Sequence, residues 1–417
     1  MAYDLLVKGG HVVDPAQGLD GAQDIAIEHG RIVALAPNLP TGEARRVLDA
    51  RGLLATPGLI DIHTHIAEAI IPIAVAPDEA GVRTGVTTVC DAGSTGYANF
   101  GGLRRWVIPQ ARTDVFCFLH LAPVGEAVLP EIGWHQVHRD KMLEVIHSNR
   151  DVIRGIKVRA TVNLLENLGI GGVEVAKGVA AEAGLPLVVH LGIDAGEALA
   201  EDGADGFSRQ VLALLDKGDV LTHAFTRKQG GLIRPDGRVL PGLREAVARG
   251  VVLDIGSALG HLDFRVARAA LDQGLVPTTL STDFTSLLLN APVPFTLPVL
   301  MSEFLALGVS LPQVVEMATV HPARVLGEKG RRGSLGVGMA ADLTLLDVVE
   351  GDWLFVDSRD GNFLRGERLL APVQVVKHGI EIDTSSRSRG YAQWSREASR
   401  MLAQVAPSGA GQIGRIP

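Results

Sequence analysis

The sequence predicts an α/β protein, a (β/α)8 TIM barrel with a small β-sandwich module formed from both chain ends. Three observations lead there. From Leu59 onward, apolar runs of four to eight residues alternate with helical stretches, the pattern of βαβ units around a parallel sheet. Both ends of the chain instead carry short β-like runs punctuated by turn residues. A length of 417 residues accommodates a barrel of about 250 residues plus one smaller module.

In chain order, the N-terminal runs are Asp4 to Lys8, His11 to Val13, Asp24 to Ile27 and Ile32 to Ala36, with Gly9-Gly10 and His29-Gly30 as turns between them. Eight barrel strands follow: Leu59 to His63, Val86 to Asp91, Val115 to Leu121, Ile153 to Val158, Leu187 to His190, Val220 to His223, Val251 to Ile255 and Thr278 to Thr282. Helical connections read as Ala176 to Ala183, Phe207 to Leu215, Leu243 to Ala248, Phe264 to Leu271 and Leu311 to Ala318. The last opens on Ser310 as N-cap, with Gln313 three residues on. Gly333 to Ala341 is glycine-rich, and β runs return at Asp342 to Leu346, Trp353 to Val356 and Val373 to Lys377. The simplest topology pairs the two ends as one split module, giving residues 1–56 and 336–383 to it and 57–335 to the barrel. Residues 384–417 form a Ser/Arg-rich tail with a helical candidate at Trp394 to Val405; it either packs on a neighbouring subunit or frays in solvent.

Hydrophobic residues make up 47% of the chain and charged residues 21%, so it buries a sizeable core. A net charge of −8 argues against a nucleic-acid partner, which needs a cationic surface to displace counterions. Only Cys90 and Cys117 occur, both within apolar runs, which excludes a disulfide framework or a cysteine-based zinc site. The opening residues lack the cationic and apolar regions of a secretory signal, and no apolar stretch has the 18 or so residues of a membrane span. A cytoplasmic enzyme acting on a small molecule, without membrane association and assembled as a homo-oligomer, is expected.

The chemistry lies at the strand ends. Gly58-Leu59-Ile60-Asp61-Ile62-His63-Thr64-His65 runs an apolar strand into two imidazoles at i and i+2. On a strand that spacing puts both rings on one face, their Cα atoms roughly 6.6 Å apart, so both can reach one cation. Lys157, His190, His223 and Asp283 likewise stand at or near the ends of their strands, the end at which such barrels build active sites. Histidine and aspartate suit a divalent ion, Zn2+ first and Mn2+ or Fe2+ as alternatives. A protonated lysine cannot ligate a cation. A neutral Lys157 can add CO2 to become a carbamate (N6-carboxylysine), an anion that two nearby divalent ions favour and that bridges them.

These segments carry a resemblance. Pro57 to His65, Gly155-Ile156-Lys157-Val158-Arg159, His190, Thr222-His223, Ser281-Thr282-Asp283 and the exit signature Gly336-Val337-Gly338-Met339-Ala340-Ala341-Asp342-Leu343 resemble the amidohydrolase superfamily, in its binuclear subtype with a carboxylated lysine. The resemblance runs up to about Ile382. It implies that His63, His65 and Asp283 ligate a more buried metal, that His190 and His223 ligate a more exposed one, and that Lys157 bridges them. It further implies a metal-bridging hydroxide as nucleophile, with Asp283 as the catalytic group that takes its proton and delivers it to the leaving group.

Asp91-Ala92-Gly93-Ser94, Gly155 to Ala160 and Ser281-Thr282-Asp283 are most similar to the amidohydrolase/deacetylase, dihydroorotase-like branch. The chain departs from that branch at Ala224-Phe225-Thr226-Arg227, at Gly256 to Phe264 and at Phe284. The implied metal cage is intact, whereas the substrate-facing loops are rewritten. Three readings stand: a deacetylase-like hydrolase of an N-acyl amino acid derivative or acyloxy acid, a cyclic amidase, and a non-catalytic scaffold on the same fold.

Arg159 falls on the strand face of Lys157, where it either binds a substrate carboxylate or packs as a rim salt bridge. His120 and His261 are the other candidate substrate contacts, each with a structural alternative. Arg227 and Lys228 read as solvated loop charge. Gly169-Ile170-Gly171-Gly172 lacks the spacing of a phosphate loop.

Overall fold

The structure is a computed structural model that describes residues 3–128, 132–192, 201–258, 260–291, 295–357, 362–384, 390 and 393–397. Its strands, in chain order, are β1 (Tyr3–Asp14), β2 (Leu19–Glu28), β3 (Arg31–Ala36), β4 (Ala44–Asp49), β5 (Leu54–Pro57), β6 (Leu59–Thr64), β7 (Val86–Asp91), β8 (Asp114–His120), β9 (Ile153–Arg159), β10 (Leu187–His190), β11 (Val220–Thr222), β12 (Val252–Leu253), β13 (Leu343–Val356), β14 (Phe363–Lys377) and β15 (Ile380–Asp383).

β6 to β12 form one curled parallel sheet in simple sequence order. Its buried Val, Ile and Leu side chains pack against the connecting helices and dominate the main apolar core. The eighth predicted strand, Thr278 to Thr282, needs correction: the segment forms no regular strand and makes single parallel bridges, Asp254 to Thr279 on one side and Thr64 to Phe284 on the other. The backbone N–H groups of Ser257 and Ala258 donate to the carbonyls of Ser281 and Thr282 at 3.0 and 2.9 Å. On the opposite side Asp283 N–H donates to His63 O at 2.7 Å, and His65 N–H to Phe284 O at 2.8 Å. Two local causes break the ladder: Pro277 brings no N–H, and Asp283 adopts a left-handed φ of 53°. The seventh predicted strand, Val251 to Ile255, contracts to Val252–Leu253 beside this irregular neighbour.

The other strands lie in a second sheet of order β15-β14-β13-β5-β1-β2-β3, with β4 paired to β1. Both chain ends feed it, in one continuous hydrogen-bonded path. Leu5, Val12, Ile25 and Ile32 from the first end share an apolar cluster with Leu343, Leu345 and Val376 from the second. Gly9-Gly10 does not turn the chain; β1 runs through as one strand with an irregularity between Val7 and Gly10, and Gly9 takes a φ of 74°. The expected runs Asp342 to Leu346 and Trp353 to Val356 are likewise one strand, interrupted between Glu350 and Trp353.

The five expected helices are all present, although those expected from Ala176 and Phe207 begin six residues earlier, at Ile170 and Glu201. Phe264–Leu271 and Leu311–Ala318 agree at both ends, and Gln313 Oε1 accepts from the Ser310 hydroxyl at 2.7 Å. Sequence reasoning missed Leu297–Ala306, because residues 297 to 305 are buried on every side and show no amphipathic period. Gly169 opens the helix Ile170–Ala183 and builds no phosphate loop. Cys90 and Cys117 are buried free thiols. Of the tail, only residues 384, 390 and 393–397 are described, so most of the Trp394 to Val405 candidate lies outside the described residues. Residues 393–397 are helical and lie on the chain's own sheet, where Leu354 N–H donates to Ser395 Oγ at 2.9 Å. No described helix is long and apolar enough to cross a membrane.

Glu303, on Leu297–Ala306, is buried with no hydrogen-bond partner for Oε1 among the described residues, and burial, aided by the Asp357 charge, pushes its carboxyl well above 4.5. A raised folded-state value means that the folded protein keeps a proton the unfolded chain has lost, so this group costs stability as pH rises above 4.5. Glu303→Gln is therefore expected to raise the thermal midpoint at pH 8 more than at pH 5. Equal shifts at the two pH values would contradict a neutral Glu303.

Candidate metal centre

The six strand-end residues of the sequence reading meet in one place. His63 is in β6 and His65 just beyond it, Lys157 is in β9, His190 ends β10, His223 follows β11, and Asp283 lies in the irregular segment between the two edges of the parallel sheet. All are buried except Asp283, whose side chain is 13% exposed and gives the cluster its opening.

Their polar atoms converge in two groups. In the first, Asp283 Oδ1 lies 3.1 Å from His65 Nε2 and 3.5 Å from His63 Nε2, and Lys157 Nζ lies 3.2 Å from His63 Nε2. In the second, His223 Nε2 lies 2.9 Å from His190 Nδ1 and 4.0 Å from Asp283 Oδ2. The ligand atoms of His63, His65 and Asp283 fall within 4.8 Å of one another, and so do those of His190, His223 and His261. Either set can hold a metal ion.

The outward ring nitrogens have partners. His63 Nδ1 is 2.8 Å from Thr222 Oγ1, His65 Nδ1 is 2.9 Å from Ser94 Oγ, and His223 Nδ1–H donates to Gly256 O at 2.7 Å. Such contacts orient a ligating imidazole and select its tautomer. His190 Nε2, by contrast, is buried without a hydrogen-bond partner among the described residues. The donor set of four imidazoles, a carboxylate and a buried amine suits divalent metal, and this inward array of lone pairs leaves it no better partner.

The local backbone is strained in favour of the site. His223 and Asp283 hold φ values of 64° and 53°, uncommon for non-glycine residues and typical of functional positions. Gly93, at φ 98°, sits against Lys157: a Cβ there would come within 2.6 Å of Lys157 Cγ and 3.0 Å of His120 Cδ2. His120 and Lys157 are register partners across β8 and β9, so one glycine makes room for both.

Electrostatics prepare the same groups. Burial, reinforced by neighbouring imidazoles, holds His190 and His223 well below the ordinary histidine value, so their lone pairs are free at neutral pH. Burial likewise lowers the Lys157 amine toward the neutral form that reacts with CO2. Burial alone would raise Asp283, but His63 and His65 outweigh it and keep the carboxylate ionised. Asp61 joins β6 to the irregular segment by accepting from Thr282 Oγ1 at 2.6 Å, and burial pushes its carboxyl up to about 7.

Of the expected substrate contacts, Arg159 lies 3.9 Å from Glu126 Oε2, a rim pairing whose side chain remains 24% exposed. His120 Nδ1 accepts from Ala122 N–H at 2.9 Å while Nε2 is buried with no partner among the described residues, and burial lowers the ring to about 4. His261 stacks on His223 at 3.7 Å between centroids. Lys228 corrects the solvated-charge expectation, since its Nζ lies 2.9 Å from His261 Nε2, and Arg227 Nε lies 3.9 Å from Asp263.

Two carboxylates escaped the sequence reading. Glu126 is buried 3.9 Å from His65 Nδ1, and Asp254 accepts three hydroxyl hydrogen bonds beneath the site. A charged residue in the loop after a barrel strand was the one signal available for Glu126.

Comparison with known proteins identifies the family. The model of the Amidohydrolase family matches residues 54–384. A deacetylase of Brucella anthropi is 34% identical over 88% of this chain and 89% of its own length. A dihydroorotase of Trichlorobacter lovleyi is 24% identical over 85% of this chain and 92% of its own. Among solved structures, a crystal structure of an adenine deaminase aligns with a TM-score of 0.81 at 30% identity, covering 91% of this chain and all of that one. A match across most of the chain, together with relatives above 30% identity at nearly full length, places this protein in the amidohydrolase family as a hydrolase of carbon–nitrogen bonds.

Proposed function

We propose that the protein is a binuclear metallohydrolase that removes an acyl group, acetyl foremost, from a small N-acyl amino acid derivative or acyloxy acid. The observation that carries this reading is the meeting of His63 Nε2, His65 Nε2, Asp283 Oδ1 and Lys157 Nζ beside the His190–His223 pair. The curated deacetylases at 32–34% identity, against 24% for the curated dihydroorotases aligned over most of this chain, favour acyl removal; a solved dihydroorotase at 31% identity keeps ring opening as the second reading.

In this reading the site stands in the mouth of a (β/α)8 barrel spanning residues 57–335 and closed by the segment 278–284, with residues 1–56 and 336–383 as the β module. His63, His65 and Asp283 would hold one divalent ion and His190 and His223 a second, with Lys157, as a carbamate, the anionic ligand available to both; zinc would suit the imidazole-rich set best. When bound, the two ions supply Lewis acidity toward the scissile carbonyl and an activated water at neutral pH. Asp283, kept anionic by its histidines, takes the proton of the attacking water and returns it to the leaving nitrogen or oxygen as the acyl bond breaks. Arg159, on the exposed flank of Lys157, binds a substrate carboxylate, with His261 and His120 as further contacts.

Zinc-loaded protein assayed against N-acyl amino acids, α-acyloxy acids and cyclic imides tests the reading. Release of the free acid with a second fragment is expected. A single ring-opened product would instead establish a cyclic amidase. Protein that binds no metal when supplied with zinc and bicarbonate would overturn the metallohydrolase reading and leave a scaffold.

A further inference from the structure

Asp254 lies beneath the candidate metal centre, touches none of its six converging residues within hydrogen-bond distance, and yet is the hub of the hydroxyl groups around it. Its Oδ2 accepts from Thr222 Oγ1 at 2.7 Å and from Ser281 Oγ at 2.7 Å, and its Oδ1 accepts from Thr279 Oγ1 at 2.7 Å. The Ser281 oxygen in turn accepts from Gly256 N–H at 3.0 Å. The carboxylate is buried, and its direct separation from His63 Nδ1 is 3.8 Å, too long for a hydrogen bond.

A carboxylate only accepts, so the single proton of the Thr222 hydroxyl is committed to Asp254. The side of Thr222 Oγ1 that faces His63 therefore presents a lone pair. At 2.8 Å from that oxygen, His63 Nδ1 must carry the ring proton and donate it. A neutral imidazole has one N–H, so Nε2 is left bare. That bare nitrogen faces Asp283 Oδ1 and Lys157 Nζ.

We infer that Asp254, acting through Thr222, is a positioning residue that locks His63 in the Nδ1–H tautomer and so keeps its Nε2 lone pair available to a metal ion. The inference rests on the proposed role of His63 as a ligand. The same hub joins β11, the residue after β12 and the irregular segment 278–284, so the lock is built into the place where the parallel ladder is weakest.

The test uses the full chain. Long-range proton–nitrogen correlation spectra of the metal-free, 15N-histidine-labelled wild type should show His63 protonated at Nδ1, and an Nε2–H signal there overturns the lock without recourse to any variant. Thr222→Val, which keeps the shape and removes the hydroxyl, should give mixed tautomers and weaken zinc binding about 10- to 100-fold in a chelator competition. Thr222→Ser should restore both. Zinc affinity unchanged in Thr222→Val, or lost equally in Thr222→Ser, overturns the inference. Wild-type protein that binds no zinc would sink the ligand assignment instead, while the spectrum still decides the tautomer.

Discussion

Asp283→Asn is expected to lower turnover by about 10^3-fold or more while leaving the fold in place. The effect of losing a positioned acid–base group alone is about 10^2–10^4-fold. Here the same substitution also removes a carboxylate of the first proposed metal position, 3.1 Å from His65 Nε2 and 4.0 Å from His223 Nε2. Asparagine keeps the size of the side chain and leaves the backbone hydrogen bond from residue 283 to His63 O available. The left-handed φ of 53° is also easier for asparagine than for most residues. The measurement is kcat on the best acyl substrate together with the thermal midpoint of the metal-free protein. Activity within tenfold of wild type would remove Asp283 from the proton-transfer role.

Gly93→Ala is the second large effect, and it acts without touching any proposed ligand chemically. An alanine at φ 98° is strained, and its methyl group would lie 2.6 Å from Lys157 Cγ, 2.9 Å from Lys157 Cβ and 3.0 Å from His120 Cδ2. Neither neighbour can retreat cheaply, because both are buried on adjacent paired strands. Overpacking and strain together should cost roughly 2–4 kcal/mol. The displaced lysine should no longer span two ions, so zinc content is expected to fall by at least one equivalent per chain. A variant with the wild-type urea midpoint and full zinc content would show that the tight approach of Gly93 is not required.

The two findings differ in how far they could be read from the chain. Asp283 was legible because it ends an apolar run, Thr279-Leu280-Ser281-Thr282, as His63, His190 and His223 end theirs, and strand ends at one mouth of a parallel sheet converge by topology. Gly93 was not, because its importance is a distance to Lys157, 64 positions away in the chain, and a glycine in a loop carries no mark of what it faces. Glu126 and Asp254 were hidden for a related reason: their partners come from separate strands, and their residue types are common. The secondary structure failed where a local signal was overridden. Gly9-Gly10 has turn residues but keeps pairing with β2 through a register shift, and Leu297–Ala306 lacks a polar face because both sides are covered. The predicted strand at Thr278 to Thr282 has the right side-chain pattern, yet Pro277 and the left-handed Asp283 leave it too few backbone pairs to be regular.

That last segment has an evolutionary consequence. Where a full backbone ladder fastens a sheet, a serine or threonine can drift to alanine or valine with little effect, but here Thr279, Ser281 and Thr282 reinforce a thinned set of backbone bonds with their hydroxyls, to Asp254 and Asp61. Substitutions that a scoring matrix treats as mild would therefore unbutton this stretch and carry Asp283 with it. Three small buried alcohols thus hold in place the segment that delivers Asp283.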